Sequence, residues 1–289
     1  MNAALLRAPR IAWPTLVLTA LAVGGWLGAV GLGLAGLLPP LVAIALASVC
    51  AYATFSPMHD AAHRSVARAR WVNEVAGRIA GLPLLAPFPA FRWMHLEHHK
   101  RTNEGLDDPD HWSGRGPWPL LPLRWLTQDL HYYARFVHEW GRFSVGARVE
   151  VVGVVLASLL ALFVPPALGL GWGLALFVFL PARLATGALA FAFDYLPHRP
   201  HDTPAREDRF RATSNLAGRW LTVPFMSQNY HLVHHLYPGV PFYAYGRVWA
   251  DQREELLANG AQELPLFGAE RALARGRPRG RARTSVAAR

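Results

Sequence analysis

The chain has a single cysteine, Cys50, among 289 residues, so neither a disulfide framework nor a cysteine-held zinc or iron–sulfur centre is available to it. Any metal has to be held by histidine or carboxylate. Charge is scarce too: only 17% of residues are Asp, Glu, Lys or Arg, and none falls from Ile11 to Met58 or from Val151 to Ala182. Soluble cores do not read this way. At about 1.5 Å of rise per residue and about 30 Å of hydrocarbon per crossing, the first run holds enough helix for two passes. The run continues far beyond the short apolar core of a cleaved signal peptide, so a membrane anchor is expected behind Arg7 and Arg10.

Acidic residues are the scarcer charged class, 19 against 29 basic ones, for a formal net charge of +10. Such a balance raises nucleic acid as a partner, but no nucleic-acid fold motif accompanies it. The basic excess instead flanks the apolar runs and fills an Arg-rich tail, where the positive-inside rule accounts for it. No nucleic-acid partner is expected. Arg7 and Arg10 precede the first run and Arg64, Arg68 and Arg70 follow it, while the turn between has no charge. Both ends of this hairpin are expected in the cytosol.

The fold class predicted is an all-α integral membrane protein of four transmembrane helices in two hairpins, with a cytosolic helical cap. The spans fall at about 13–36, 41–58, 150–166 and 170–193, with turns at Leu38-Pro39-Pro40 and at Pro165-Pro166. Residues 59–148 and 194–260 supply the cap, and 261–289 form a basic tail without apolar period, expected to be disordered. Within the cap, 71–85 reads as an amphipathic interfacial helix and 88–100 as a second helix. Residues 102–118 read as a loop by their Gly, Pro and Asp content, with Asp107, Asp108 and Asp110 in structural or capping roles, since the Gly and Glu of an EF-hand loop are missing. Arg183 lies near the border of the last span, where it snorkels or pairs with an acidic residue such as Asp194 or Glu150.

Ten of the thirteen histidines fall in four clusters: His59 and His63 in HDAAH, His95, His98 and His99 in HLEHH, His198 and His201 in LPHRPH, and His231, His234 and His235 in HLVHH. Spacings of i, i+4 and i, i+3, i+4 put each helical cluster on one face. One lone histidine is usually a packed residue; four clusters at the same ends of two hairpins point to metal. Nine imidazoles exceed what one ion with an open position takes, and they suit two. Imidazole by itself does not select among zinc, copper, nickel and iron. HDAAH approaches the HExxH helix of zinc hydrolases, but with aspartate in place of the glutamate base and with the other clusters left unexplained.

H-x3-H, H-x2-H-H and a later H-x2-H-H beside two apolar hairpins resemble the membrane fatty acid desaturase and hydroxylase superfamily, over nearly the whole chain from Trp13 to about Leu257. FDYLPHRP (193–200), QNYHLVHHLYPGVPFYAY (228–245) and HLEHHKRTNEGLDDPD (95–110) are similar to bacterial β-carotene ring hydroxylases, and carotenoid ketolases share LPHRP. The resemblance implies two iron ions held by His59, His63, His95, His98, His99, His198, His231, His234 and His235, with O2 as cosubstrate. His201 follows the shared LPHRP and is set aside, while His111, His131 and His138 read as isolated structural residues. Asp194, four before His198, and Asn229 are the residues expected beside the site that are not ligands; Asp60 and Glu97 are further candidates to orient imidazole N–H groups.

The activity implied is oxygen-dependent hydroxylation of a carotenoid β-ionone ring, with a carotenoid ketolase and an acyl-lipid desaturase as the nearest alternatives. A membrane protein that stores or senses metal without catalysis is the alternative of a different class. The substrate is hydrophobic and arrives from the bilayer. No HPGG heme segment, flavin fingerprint or cysteine cluster is present, so a ferredoxin-like or other external donor is expected. The localisation expected is the bacterial inner membrane, with both termini and the metal site cytosolic.

Overall fold

The computed structural model describes residues 6–267. Four of its helices are long and apolar enough to cross a membrane: α1 (Trp13–Leu34), α2 (Pro40–Ala62), α7 (Val145–Ala167) and α8 (Ala175–Tyr195). Between the hairpins run α3 (Arg70–Gly81), α4 (Phe88–Arg101), the short α5 (Leu121–Leu126) and α6 (Gln128–His138); after α8 come α9 (His231–Leu236) and α10 (Tyr245–Ala258). The fold is the expected all-α membrane class, its strands limited among the described residues to one parallel pair of two residues each.

Both turns are set by glycine and proline. Gly36 takes φ +70° after α1, and Pro39 and Pro40 then open α2, where a missing N–H costs nothing. The second turn lies later than its prolines suggest. Pro165 and Pro166 sit in the last turn of α7, and the chain leaves the helix at Leu168, where Gly169 and Gly171 take φ +76° and +82°. Helix α7 also starts five residues before the expected 150, because Ser144 Oγ accepts the Ala147 N–H at 3.2 Å and caps it. α2 runs on through Pro57 to Ala62, so HDAAH is the last turn of a spanning helix and not a stretch beyond it.

Small residues bring α1, α2 and α8 together. Ala43, Ala47 and Ala51 are fully buried, and a Cβ on Gly33 would stand 2.9 Å from the Ala43 Cβ and 3.0 Å from Phe177. Close backbone approach of this kind is how helices pack where hydrocarbon is the solvent. α7, by contrast, buries only Val151 and turns its leucines and valines outward, as a lipid-facing helix does.

Arg183 on α8 neither snorkels free nor pairs with Asp194 or Glu150. Its guanidinium grips Asp129 at the start of α6 in a bidentate pair, both contacts 2.5 Å, and donates to Leu126 O at 2.9 Å; Glu150 pairs with Arg78 at 2.8 Å. The pair ties the helices of the polar segment to the last span. Asp129→Leu leaves Arg183 half-buried without its partner and is expected to cost about 1–3 kcal/mol, between an exposed and a buried pair, read as a lowered unfolding midpoint in detergent.

The tail boundary also needs correction. Glu263–Leu264 pairs in parallel with Asn215–Leu216, and Leu264 is buried, so the packed body extends past 260. The rest of the expected tail, 268–289, lies outside the described residues.

Candidate metal centre

Four separate stretches carry the nine histidines to one place at the common end of the hairpins. His59 ends α2 and His63 caps it; His95, His98 and His99 lie on one face of α4; His231, His234 and His235 belong to α9; His198 comes just after the π-helical last turn of α8. The π turn at Ala190–Tyr195 rotates the segment bearing His198 relative to the rest of the helix, a device common at functional sites.

The ligating atoms divide into two groups, each gathered within 4.8 Å: His59, His63, His95, His99 and His234 in one, and His98, His198, His231 and His235 in the other. In the first, Nε2–Nε2 separations are 3.0 Å for His59–His234, 2.7 Å for His63–His95, 3.2 Å for His95–His99 and 2.7 Å for His99–His234. In the second they are 3.3 Å for His98–His235, 2.9 Å for His198–His231 and 3.1 Å for His231–His235. Two imidazole nitrogens each ~2.1 Å from one ion, at right angles, stand ~3.0 Å apart. The observed spacing is therefore that of ligands around a shared ion in each group, and this all-nitrogen donor set fits divalent transition metals.

Electrostatics agree. Burial, reinforced by repulsion among the rings, holds the pKa values of His95, His99, His198, His234 and His235 well below the ordinary imidazole value, and takes His63 and His231 to about 3. Neutral imidazole is the form that binds metal. His98 differs: burial again disfavours its charge, but Asp108 and Asp110 outweigh it and raise the pKa to about 9. His98 Nδ1 donates to Asp108 Oδ1 at 2.7 Å and lies 3.5 Å from Asp110 Oδ2, while its Nε2 faces the second group. A carboxylate on the far nitrogen of a ligand fixes its tautomer and raises its basicity. Tyr245 plays a similar part for His234, its hydroxyl 3.0 Å from Nδ1.

Sequence patterns alone miss Asp108 and Tyr245 as neighbours of the site, Asp108 reading there as a structural or capping residue. It does cap, accepting the Asp110 N–H at 2.9 Å and the Asn103 N–H at 2.8 Å, and it binds His98 as well. The aspartate-rich LDDPD is the available signal; nothing marks Tyr245. Conversely, Asp60 and Glu97 orient no imidazole. Asp60 accepts from Thr15 Oγ1 at 2.8 Å and from the Phe242 N–H at 3.0 Å, and Glu97 pairs with Lys100 at 2.6 Å. Asn229 is buried and its amide reaches no partner among the described residues, so it too is no imidazole anchor. His201 joins neither group: its ring lies 6.0 Å from that of His198, close against Gly114, where a Cβ would stand 2.4 Å from Nε2. His111 lies 5.6 Å from His201, His131 stacks on Trp112, and neither of these two enters either group.

A narrow cavity reaches the histidines from one side, with His59, His95, His98 and His231 in its wall. Phe55, Met58, Leu84, Phe91, Leu189 and Phe193 make most of the remainder apolar. Phe91 stacks on His95 with an interplanar angle of 6°, and Phe55 on His59, so the apolar wall also holds the rings. Asp194 lines this cavity and makes no hydrogen bond or ion pair with the described residues.

The model of the fatty acid desaturase family matches residues 35–265, four fifths of the chain. This protein belongs to the fatty acid desaturase family. Among relatives of this desaturase-family chain, an sn-1 oleoyl-lipid 12-desaturase of Anabaena variabilis is 29% identical over 214 residues, covering 64% of this chain and 60% of its own length. A beta-carotene ketolase of a Paracoccus species is 32% identical over 194 residues, 64% of this chain and 69% of its own. An sn-1 acyl-lipid omega-3 desaturase (ferredoxin) of a Nostoc species is 33% identical over 61 residues, 21% of this chain and 17% of its own. The match thus spans about three fifths of the length of the Anabaena desaturase.

Proposed function

We propose that this desaturase-family chain is an oxygen-dependent di-iron membrane oxidoreductase that hydroxylates the β-ionone ring of a carotenoid. The observation that carries the reading is the sorting of nine imidazole nitrogens into a group of five and a group of four at the inner end of an apolar cavity. The nine histidines are taken as the ligands of two irons, which supply reductive activation of dioxygen. Ring hydroxylation balances as C–H + O2 + 2 e− + 2 H+ → C–OH + H2O, with the electrons from a ferredoxin-like protein, a donor type that the name of the Nostoc relative carries.

The chain's own residues bind and orient the substrate and exclude water. Phe55, Phe91, Leu189 and Phe193 make a dry slot that presents one carbon to His59, His95, His98 and His231. The cavity extends away from the histidines along α8, with Thr186 eight residues, about 12 Å of helix, before Asp194. A second, largely apolar groove between α7 and α8 shares Ala86 and Pro87 with it, which supports entry of a long hydrophobic molecule from the bilayer. The basic residues flanking the spans support a cytosolic site in the inner membrane.

Co-expression with β-carotene and chromatography of the pigments is the test. Zeaxanthin supports ring hydroxylation. Canthaxanthin supports a second reading, favoured by the Paracoccus relative, in which the neighbouring ring methylene is oxidised twice to a ketone. Unchanged carotene with new double bonds in the membrane lipids, as the name of the Anabaena relative would suggest, defeats both. Filling the slot with Thr186→Trp is expected to cut turnover at least about tenfold through misplacement of the reacting carbon, with metal content unchanged.

A further inference from the structure

The nine clustered imidazoles are unequal in their access to solvent. His59, His95, His98, His198, His231 and His234 are 5% exposed or less, whereas His63, His99 and His235 are partly exposed. Those three adjoin one another: the ring centroids of His63 and His99 stand 4.6 Å apart, and those of His99 and His235 stand 4.3 Å apart with the planes stacked at 21°. None of them lines the apolar cavity, whose wall takes His59, His95, His98 and His231 from the buried set. The cluster therefore has two approaches through different rings, one apolar and one open to water. The wet approach reaches both groups, since His63 and His99 belong to the group of five and His235 to the group of four.

An exposed cation stands beside each of these rings. Arg64 follows His63 and Lys100 follows His99, both exposed, and the exposed Arg209 donates to the carbonyl of Leu236, next to His235, at 3.5 Å. Glu97, which pairs with Lys100 at 2.6 Å, is itself buried. Cations in this position repel free metal ions and attract an acidic protein surface.

We propose that the face formed by His63, His99 and His235, with Arg64, Lys100 and Arg209 beside it, is the docking surface of an acidic one-electron carrier of the ferredoxin type. This rests on the proposed di-iron reading, gives its electron donor a place, and is independent of which lipid is oxidised. Each docking moves one electron from the iron–sulfur cluster of the carrier, which is oxidised, inward through these rings. Two dockings supply the two electrons of the balanced reaction, and its two protons come from water. Approach of donor and substrate through separate rings lets both be bound at once.

The experiment measures docking apart from turnover. The full chain, loaded with iron and reconstituted in phosphatidylcholine nanodiscs, is titrated with an acidic plant-type two-iron ferredoxin. Binding is read by biolayer interferometry, and electron delivery by the rate at which the reduced ferredoxin reduces the bound iron. The wild type is expected to bind, more weakly as salt is raised. Arg64→Glu combined with Arg209→Glu is expected to weaken binding and slow reduction at least about tenfold, while Arg64→Lys combined with Arg209→Lys keeps both within about twofold. Lys100→Gln is the independent second variant, expected to weaken binding about threefold. Reduction by dithionite, which needs no docking surface, is expected to be equal in all these proteins, with equal iron content, so that a folding defect does not pass for lost docking. No binding by the wild type overturns the docking face, and so does binding that the charge reversals leave unchanged; in both cases the di-iron reading stands on the iron content and on reduction by dithionite. Absence of iron from the wild type overturns that reading and the docking face with it.

Discussion

His234→Ala is expected to abolish the proposed turnover, by more than about a hundredfold, and to lower the metal content from the proposed two ions per chain toward one. The size of the effect comes from where the ring sits. Its Nε2 is 3.0 Å from that of His59 and 2.7 Å from that of His99, so it joins the helices α2, α4 and α9 at one point, while Tyr245 holds Nδ1. Loss of a residue that orients a ligand already costs about 10–100-fold, and loss of the ligand itself costs more. Metal analysis and product yield on the same preparation check the result. Full metal content with full turnover would remove His234 from the proposed ligand set.

Asp108→Ala carries the second largest effect, an expected loss of about 10–100-fold in metal affinity or activity. Three contacts converge on this carboxylate: the His98 Nδ1–H at 2.7 Å, the Asn103 N–H at 2.8 Å and the Asp110 N–H at 2.9 Å. Without it the His98 ring loses the acceptor that fixes its tautomer and the loop loses its internal anchor. Asp108→Asn retains an oxygen acceptor without the charge, and is expected to keep the loop while still weakening the metal. Resistance of bound metal to a chelator separates the two variants: both should lose metal faster than wild type, the alanine variant more so. Equal retention in all three proteins would restrict Asp108 to a capping role.

Much of this architecture is legible in the residues because hydrocarbon is an uncompromising solvent. Two charge-free runs interrupted at glycine and proline admit few readings, and the histidine spacings fix which imidazoles share a helical face. Legibility ends where partners lie far apart along the chain. Arg183 stands out in the sequence as a charge at membrane depth, but its partner, Asp129, lies 54 residues away on another helix, and no periodicity links them. Asp60 and Glu97 look like site residues by adjacency in sequence, whereas Asp60 is taken by Thr15 and Phe242. Tyr245, eleven residues after His234, reaches back because the turn at Pro238–Pro241 folds α10 onto α9, a tertiary event without a local signature. The ends of α7 differ from expectation at Ser144 and at Pro165-Pro166, where one capping hydroxyl and two tolerated prolines decide the boundary.

The short parallel pair of Asn215–Leu216 with Glu263–Leu264 bears on the order of assembly. The Asn215 N–H donates to Gln262 O at 2.9 Å, and its side-chain Oδ1 accepts the Leu232 N–H at 3.0 Å, so residues near 263 brace the start of α9 through a single asparagine. His59 meets His234 across 175 positions of chain. At a synthesis rate of about 5–20 residues per second, the first imidazoles wait roughly 9–35 s for that partner to be made, and slightly longer for its brace. Complete loading with metal therefore waits until α9 and its brace have been made, and during the interval the half-built cluster is a weaker, less selective trap for whatever divalent ion the cell offers first.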